Sequence, residues 1–282
     1  MRLANARGRA CLVVGGRSID LERRSGGRFS ADPMQALARW DELLDWASGL
    51  PAGEGEAPLD EASLGPCVPR PQKVIGIGLN YRDHALEAGL PIPKEPLVFT
   101  KFPNCLAGPR APVPLPSDRV DFEVELVVAI GRRGRAIPEA RAWEFAAGLC
   151  VGQDISDRRL QFQGQPPQFS LGKSADGFGP IGPALVSLDE VRERDALRLT
   201  CDVAGERMQD GSTRDMIFGV AELLAYLSRH LTLEPGDLVF TGTPRGTGAV
   251  RKPPRYLAPG QEIASEIEGL GWLLNRCVSP PG

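Results

Sequence analysis

Glu123 and Glu125 stand two residues apart in the run Asp121-Phe122-Glu123-Val124-Glu125-Leu126-Val127-Val128-Ala129-Ile130-Gly131. Side chains alternate along a strand, so both carboxylates project from one face while Phe122, Val124 and Leu126 project from the other. The apolar continuation to Ile130 marks a core strand, where paired carboxylates need a cation or a shared proton. Asp154, near the end of the run from Leu149 to Ser156, offers a third carboxylate. A Glu, Glu, Asp set without thiolate or imidazole suits Mg²⁺ or Mn²⁺, with Ca²⁺ a third candidate, and leaves octahedral positions for water or substrate.

Few other groups compete for a chemical role. The chain has five lysines (73, 94, 101, 173, 252) and two histidines, His84 and His230. Its six cysteines are scattered without a C-x-x-C pair, which argues against a structural zinc or a thioredoxin-like site and for small buried hydrophobes in a reducing compartment. Gly172-Lys173-Ser174 resembles the end of a phosphate loop, but Pro167 takes the required glycine position. Gly76-Ile77-Gly78 lacks the third glycine of a dinucleotide fingerprint, and no G-x-S-x-G elbow exists.

The elements that must position these residues read as mainly β. Short apolar segments separated by Gly and Pro run over 73–78, 97–101, 122–131, 149–155, 184–186, 197–203, 238–242 and 262–267, a pattern of a β-rich roll or sandwich. Two helices interrupt them, one over about 138–147 and one over about 215–230, where Val220, Leu223, Leu224 and Leu227 keep helical spacing. Two helices among many strands do not make a regular βαβ alternation, so a Rossmann or TIM architecture is not expected.

Residues 1–65 read as a small strand-helix module and 66–282 as the catalytic domain. In the module, Asp32 caps a helix that begins at Pro33 and carries Met34, Leu37, Trp40, Leu43, Leu44 and Ala47 on its apolar face until Gly49. The Gly/Pro/Glu-rich stretch 51–60 reads as a linker. With 33 Lys and Arg against 36 Asp and Glu, the chain carries no basic footprint for nucleic acid or an anionic membrane. No apolar run approaches the ~20 residues of a membrane span, and no signal-peptide core precedes the first strand, so a cytoplasmic protein acting on a small molecule is expected.

Five motifs in order carry a resemblance over roughly residues 73–248. They are Gly78-Leu79-Asn80-Tyr81-Arg82-Asp83-His84 with Glu87, the Asp121–Leu126 run, Gln153-Asp154-Ile155-Ser156, Gly172-Lys173-Ser174 through Gly179-Pro180-Ile181-Gly182-Pro183, and Glu234-Pro235-Gly236-Asp237 leading to Thr241-Gly242-Thr243-Pro244. In these the chain resembles the fumarylacetoacetate hydrolase family, whose bacterial acylpyruvate hydrolase and 2-hydroxyhepta-2,4-diene-1,7-dioate isomerase members it looks most like. The resemblance implies an α+β, mainly β fold, a mixed β-sandwich roll, usually homodimeric.

It further implies that Glu123, Glu125 and Asp154 hold the metal, and that His84 and Glu87 act together on a water from a short lid. Spacing of i, i+3 puts both on one helical face, and a carboxylate beside an imidazole orients it and raises its basicity. Lys173 resembles the active-site lysine, Arg158 and Gln161 resemble substrate contacts, and Gly242-Thr243 resembles the loop that binds the substrate carboxylate. Lys101 takes a supporting position. Gln153 and Asp157 depart from the usual asparagine and small residue without removing a ligand.

The expected activity is metal-dependent hydrolysis of a C–C bond in a 1,3-diketo acid, an acylpyruvate or a fumarylacetoacetate-like compound, through a metal-stabilised enolate. Reprotonation or loss of CO₂ from the same enolate makes a 2-oxo acid isomerase or decarboxylase the alternative. A non-catalytic binding protein on the same scaffold is the third reading.

Overall fold

The computed structural model describes residues 1–50 and 55–280. The chain opens with β1 (Arg2–Ala6), β2 (Arg9–Val14), β3 (Arg17–Asp20), α1 (Leu21–Arg24), α2 (Pro33–Leu37), α3 (Trp40–Ser48) and β4 (Ala57–Pro58). Next come β5 (Val74–Gly78), α4 (Arg82–Glu87), β6 (Leu97–Lys101) and the short β7 (Leu106–Ala107), β8 (Val113–Pro114) and β9 (Val120–Asp121). The middle of the chain holds β10 (Val124–Ile130), β11 (Ala146–Gln153), β12 (Ser156–Asp157), α5 (Arg158–Gln161), α6 (Phe169–Gly172) and β13 (Gly179–Ser187). It closes with β14 (Arg198–Val203), β15 (Glu206–Ser212), α7 (Val220–His230), β16 (Leu238–Phe240), β17 (Glu262–Ile267) and β18 (Gly271–Val278).

The fold is mainly β with mixed sheets, as the punctuated apolar segments predict. One large sheet runs β4-β3-β2-β1-β13-β11-β10-β16-β5-β6, with β7 beside β13, and a five-stranded sheet runs β15-β14-β17-β18-β8. β16 pairs parallel with β5 while β10 pairs antiparallel with both β11 and β16. Every residue of β10 is buried, which a strand covered on both faces requires. Val124, Leu126, Val128 and Ile130 enter a core that continues into the second sheet and α7, whereas Val127 and Ala129 enter another, shared with Leu37, Trp40 and Leu43. Residues 1–65 join the edge of the large sheet through β1 against β13.

Two expected helices change form. The helix from Pro33 starts as read, with Asp32 accepting from Met34 N–H, but breaks into α2 and α3 at Arg39, whose φ of −117° and ψ of 38° leave the helical region. The break re-aims α3 so that Leu37, Trp40 and Leu43 all enter one core. The helix over 138–147 is instead a 3₁₀ segment, Glu139–Phe145, because Ala146 is already claimed by the ladder of β11, opposite Ile130. The helix expected over about 215–230 starts later, as α7 from Val220, because Thr213–Asp215 forms a 3₁₀ turn and Met216 and Ile217 pair with Tyr81 and Asn80; its four apolar positions are buried as expected. Of the expected linker, residues 51–54 lie outside the described residues, and Ala57–Pro58 pairs with β3. All six cysteines are free and buried. Among the described residues no helix is long and apolar enough to cross a membrane.

Candidate active site

The register of β10 against β11 assembles the acidic set. Val124 lies opposite Gln153 and Glu125 opposite Gly152, and Asp154 N–H donates to Glu123 O at 2.9 Å just beyond the ladder. Asp154 therefore sits opposite Glu123, and opposed residues of a sheet share a face. Carboxylate oxygens of Glu123, Glu125 and Asp154 lie within 4.8 Å of one another, and all three residues are buried. The alternation expected for Glu123 and Glu125 places them with Val127 and Ala129, away from the between-sheet core.

Three buried cations answer these charges. Lys101 Nζ, at the end of β6, donates to Asp154 Oδ1 at 2.6 Å, to Phe178 O at 3.1 Å and to Lys173 O. Lys173 Nζ donates to Glu123 Oε2 at 2.8 Å, Asp154 Oδ2 at 2.5 Å and Ser156 Oγ at 2.9 Å. Arg158 reaches Glu123 Oε1 at 2.5 Å through Nη2, Asp121 Oδ2 at 2.9 Å through Nε and Gln161 Oε1 at 2.9 Å through Nη1. Burial raises the pKa of Glu123, but Lys173 and Arg158 overcome that and hold its carboxyl far below the usual range. Burial works against the charge on Lys173 as well, and Asp154 and Glu123 outweigh it to raise the ammonium pKa.

Glu125 is the exception. It is 1% exposed and accepts a hydrogen bond from Gly242 N–H at 2.8 Å. Burial, followed by the charges of Asp154 and Glu123, pushes its carboxyl well above the ordinary range. Four buried carboxylates, counting Asp121, thus face Lys101, Lys173 and Arg158, so the cluster is one positive charge short. Three converging oxygen donors with that deficit fit a hard divalent cation, and the residues expected as ligands are the ones that converge.

Two turns pack beside Glu125. Asn80, after Leu79 in the left-handed region (φ 54°), donates to Thr241 O at 2.7 Å and Phe218 O at 3.0 Å and accepts from Phe218 N–H at 2.9 Å. Gly242 has φ +97°, and a Cβ there would stand 2.7 Å from that of Asn80, so only glycine fits the turn that aims its N–H at Glu125. Thr243 Oγ1 donates to Val124 O and accepts from Gln209 Nε2, both at 2.8 Å, so its hydroxyl is engaged in holding the loop. Asp121 accepts from Gly248 N–H at 2.7 Å and Ala249 N–H at 3.0 Å while holding Arg158.

His84 lies on α4 with Nδ1 3.8 Å from Glu87 Oε2, too far for a hydrogen bond, and that buried nitrogen has no partner. Glu87 accepts from Gly246 N–H at 2.8 Å. His84, Glu123, Glu125, Arg158, Gln161, Lys173 and Thr243 line one cavity of about 200 Å³. That volume, below the ~300–1,000 Å³ common for ligand pockets, suits a small acid rather than a nucleotide. His230, by contrast, ends α7 against Tyr226, with ring centroids 5.0 Å apart.

Both departures noted in sequence are accommodated. Gln153 Oε1 accepts from Glu123 N–H at 2.9 Å while Nε2 donates to Ser265 Oγ at 2.8 Å, tying the Glu123 backbone to β17. Asp157 caps α5 by accepting from Arg159 N–H at 3.0 Å and Leu160 N–H at 3.3 Å, which presents Arg158 and Gln161. The sequence reading missed Asp121, Gln209 and Thr247. Asp121 alone had a visible signal, as an acid in the same run as the ligands.

A family profile described as fumarylacetoacetate (FAA) hydrolase C-terminal matches residues 73–278. The mitochondrial oxaloacetate tautomerase of Bos taurus is 44% identical over 223 residues, 78% of this chain and 71% of its own. Among solved structures, a Mycobacterium smegmatis protein provisionally named HpcE superimposes with a TM-score of 0.93 at 47% identity, covering 100% of both chains. Maleylpyruvate hydrolase from Sphingobium sp. SYK-6, solved with manganese (II) ion and pyruvate, gives a TM-score of 0.84 at 26% identity, again over 100% of both chains. With four of its five motifs lining one cavity, Asp154 of the remaining one beside Glu123 and Glu125, and a family match over most of its length, the chain belongs to the fumarylacetoacetate hydrolase family.

Proposed function

We propose that the protein is a divalent-metal-dependent hydrolase that adds water to the distal carbonyl of a 1,3-diketo acid, an acylpyruvate being the simplest fit, and so cleaves a C–C bond. The observation that carries this reading is the convergence of Glu123, Glu125 and Asp154, one positive charge short, with Glu123 and Glu125 lining a cavity that also presents His84. Glu123, Glu125 and Asp154 would hold a Mg²⁺ or Mn²⁺ ion, which would supply the positive charge that polarises a 2-oxo acid and favours its enolate. Lys101 keeps Asp154 fixed from behind, so the ligand set is ordered before substrate arrives. Glu87, anchored on Gly246, stands 3.8 Å from Nδ1 of His84, and closing that gap to a hydrogen bond would orient the ring and leave Nε2 to take the proton from the attacking water. Lys173, Arg158 and Gln161 shape the polar end of the cavity, and Gly242 and Thr243 set the turn beside it. The same reading carries a homodimeric, cytoplasmic protein.

A second reading is tautomerisation of a 2-oxo acid, favoured by the 44% identity to an oxaloacetate tautomerase. It needs proton transfer between carbon and oxygen but no added water. Purified protein with Mg²⁺ or Mn²⁺ should convert acetylpyruvate to pyruvate and acetate, followed by proton NMR. Keto–enol interconversion of oxaloacetate without acetylpyruvate cleavage would instead establish the second reading.

A further inference from the structure

The cavity's lining divides by chemistry. Its charged or titratable members are His84, Glu123, Glu125, Arg158 and Lys173, whereas Leu90, Leu97, Phe99, Phe162, Phe169 and Val250 present hydrocarbon. Phe169 meets Phe99 edge-on at 5.8 Å and Phe162 at 6.5 Å between ring centroids, so the aromatic wall is one packed group. Neither lining cation is free of the acidic cluster. Lys173 Nζ already makes three hydrogen bonds, to Glu123, Asp154 and Ser156. All three guanidinium nitrogens of Arg158 are engaged with Asp121, Glu123 or Gln161. A second carboxylate on the substrate would be dehydrated against this hydrocarbon wall and would have to compete with Glu123 and Asp121 for Arg158.

We propose, resting on the hydrolase reading above, that the site takes 2-oxo acids whose far end is an uncharged alkyl or aryl acyl group, and that the apolar wall selects against dicarboxylic acids. The test is calorimetric binding to the Mn²⁺-loaded protein of two non-cleavable 2-oxo acids, 5-methyl-2-oxohexanoate and 2-oxoglutarate, which differ by two methyl groups in place of two carboxylate oxygens. The branched acid should bind ~10-fold or more tightly. Phe162→Arg, on a half-exposed rim position, should narrow that ratio by strengthening 2-oxoglutarate. Equal or reversed affinities in the unaltered protein overturn the inference and leave the hydrolase reading standing. Binding of neither acid overturns both.

A different observation carries a second assignment. Thr247 is 1% exposed, lines the cavity, and its Oγ1 is buried without a hydrogen-bond partner. Its neighbours are held on both sides, Gly246 by Glu87 and Gly248 by Asp121, so the hydroxyl cannot turn away to solvent cheaply. The structure assigns Thr247 Oγ1 as a hydrogen-bonding contact to an oxygen of bound substrate. An unpartnered buried hydroxyl stabilises nothing in the free protein, so Thr247→Val should leave the Tm unchanged or higher while raising KM for acetylpyruvate several-fold, and Thr247→Ser should restore KM. A lower Tm in the valine variant, an unchanged KM, or a KM that serine does not restore overturns the assignment.

Discussion

At the scale of single residues, the site is a balance of buried charge in which each cation holds a named oxygen. Lys101 shows this most plainly, since its ammonium reaches Asp154 and two backbone carbonyls from a fully buried position. Lys101→Met keeps most of the volume but leaves Asp154 short of a partner, and should cost about 3 kcal/mol in denaturant unfolding. An unchanged unfolding midpoint would mean that Lys101 is not needed to hold Asp154. His84 differs in kind, because its Nδ1 is buried without a hydrogen-bond partner. His84→Ala should therefore reduce hydrolysis ~10²-fold or more while Mn²⁺ affinity stays nearly constant. Collapse of metal binding would make the histidine a ligand and redraw the division of roles. Glu87→Gln should lower acylpyruvate cleavage by a similar ~10² while affecting any oxaloacetate tautomerisation much less, since only the first reaction needs an activated water. Equal losses would recast Glu87 as an organiser of the whole turn through Gly246.

At the scale of elements, short pieces of secondary structure do most of the positioning. α5 has four residues, yet it carries both Arg158 and Gln161, and its start is fixed by the Asp157 cap. Asp157→Ala should cost about 1 kcal/mol of stability and raise KM more than it lowers kcat, because it loosens side chains that line the cavity. A pure stability loss with KM intact would separate the cap from the site. β10 was legible in sequence because an apolar run broken only by alternating acids has few other physical solutions, and Asp154 was legible because it ends the next such run. The break at Arg39 was not, since the apolar spacing continues across it and only packing of Leu37, Trp40 and Leu43 into one core decides it. The 3₁₀ segment at Glu139–Phe145 was hidden for a related reason, as the ladder of β11 claims alanines that read equally well as helix. Cation partners were the least legible feature. Lys101 and Asp154 lie 53 residues apart, and no local pattern announces that pairing.

For the whole molecule, the large sheet holds the acidic set from both sides. The residues between the two sheets pack on one face of β10, and the N-terminal segments, through Leu37, Trp40 and Leu43, pack with Val127 and Ala129 on the other. Glu125 on β10 and Glu123 just before it, held by Asp154 N–H, thereby have little freedom to splay apart, which turns mutual repulsion into affinity for a cation. Glu125, with Gly242 N–H as its hydrogen-bond donor, is where that cation is most needed. Calorimetric titration of metal-stripped protein with Mn²⁺, beside Glu125→Gln, tests this most directly. One site per chain is predicted in the unaltered protein, together with a metal-dependent rise in Tm. The variant should fold with a metal-free Tm close to the parent's, bind Mn²⁺ at least ~10-fold more weakly and lose most of the metal-dependent rise. No Mn²⁺ binding to the unaltered protein, or equal affinity in the variant, would contradict the assignment of Glu123, Glu125 and Asp154 as a metal site.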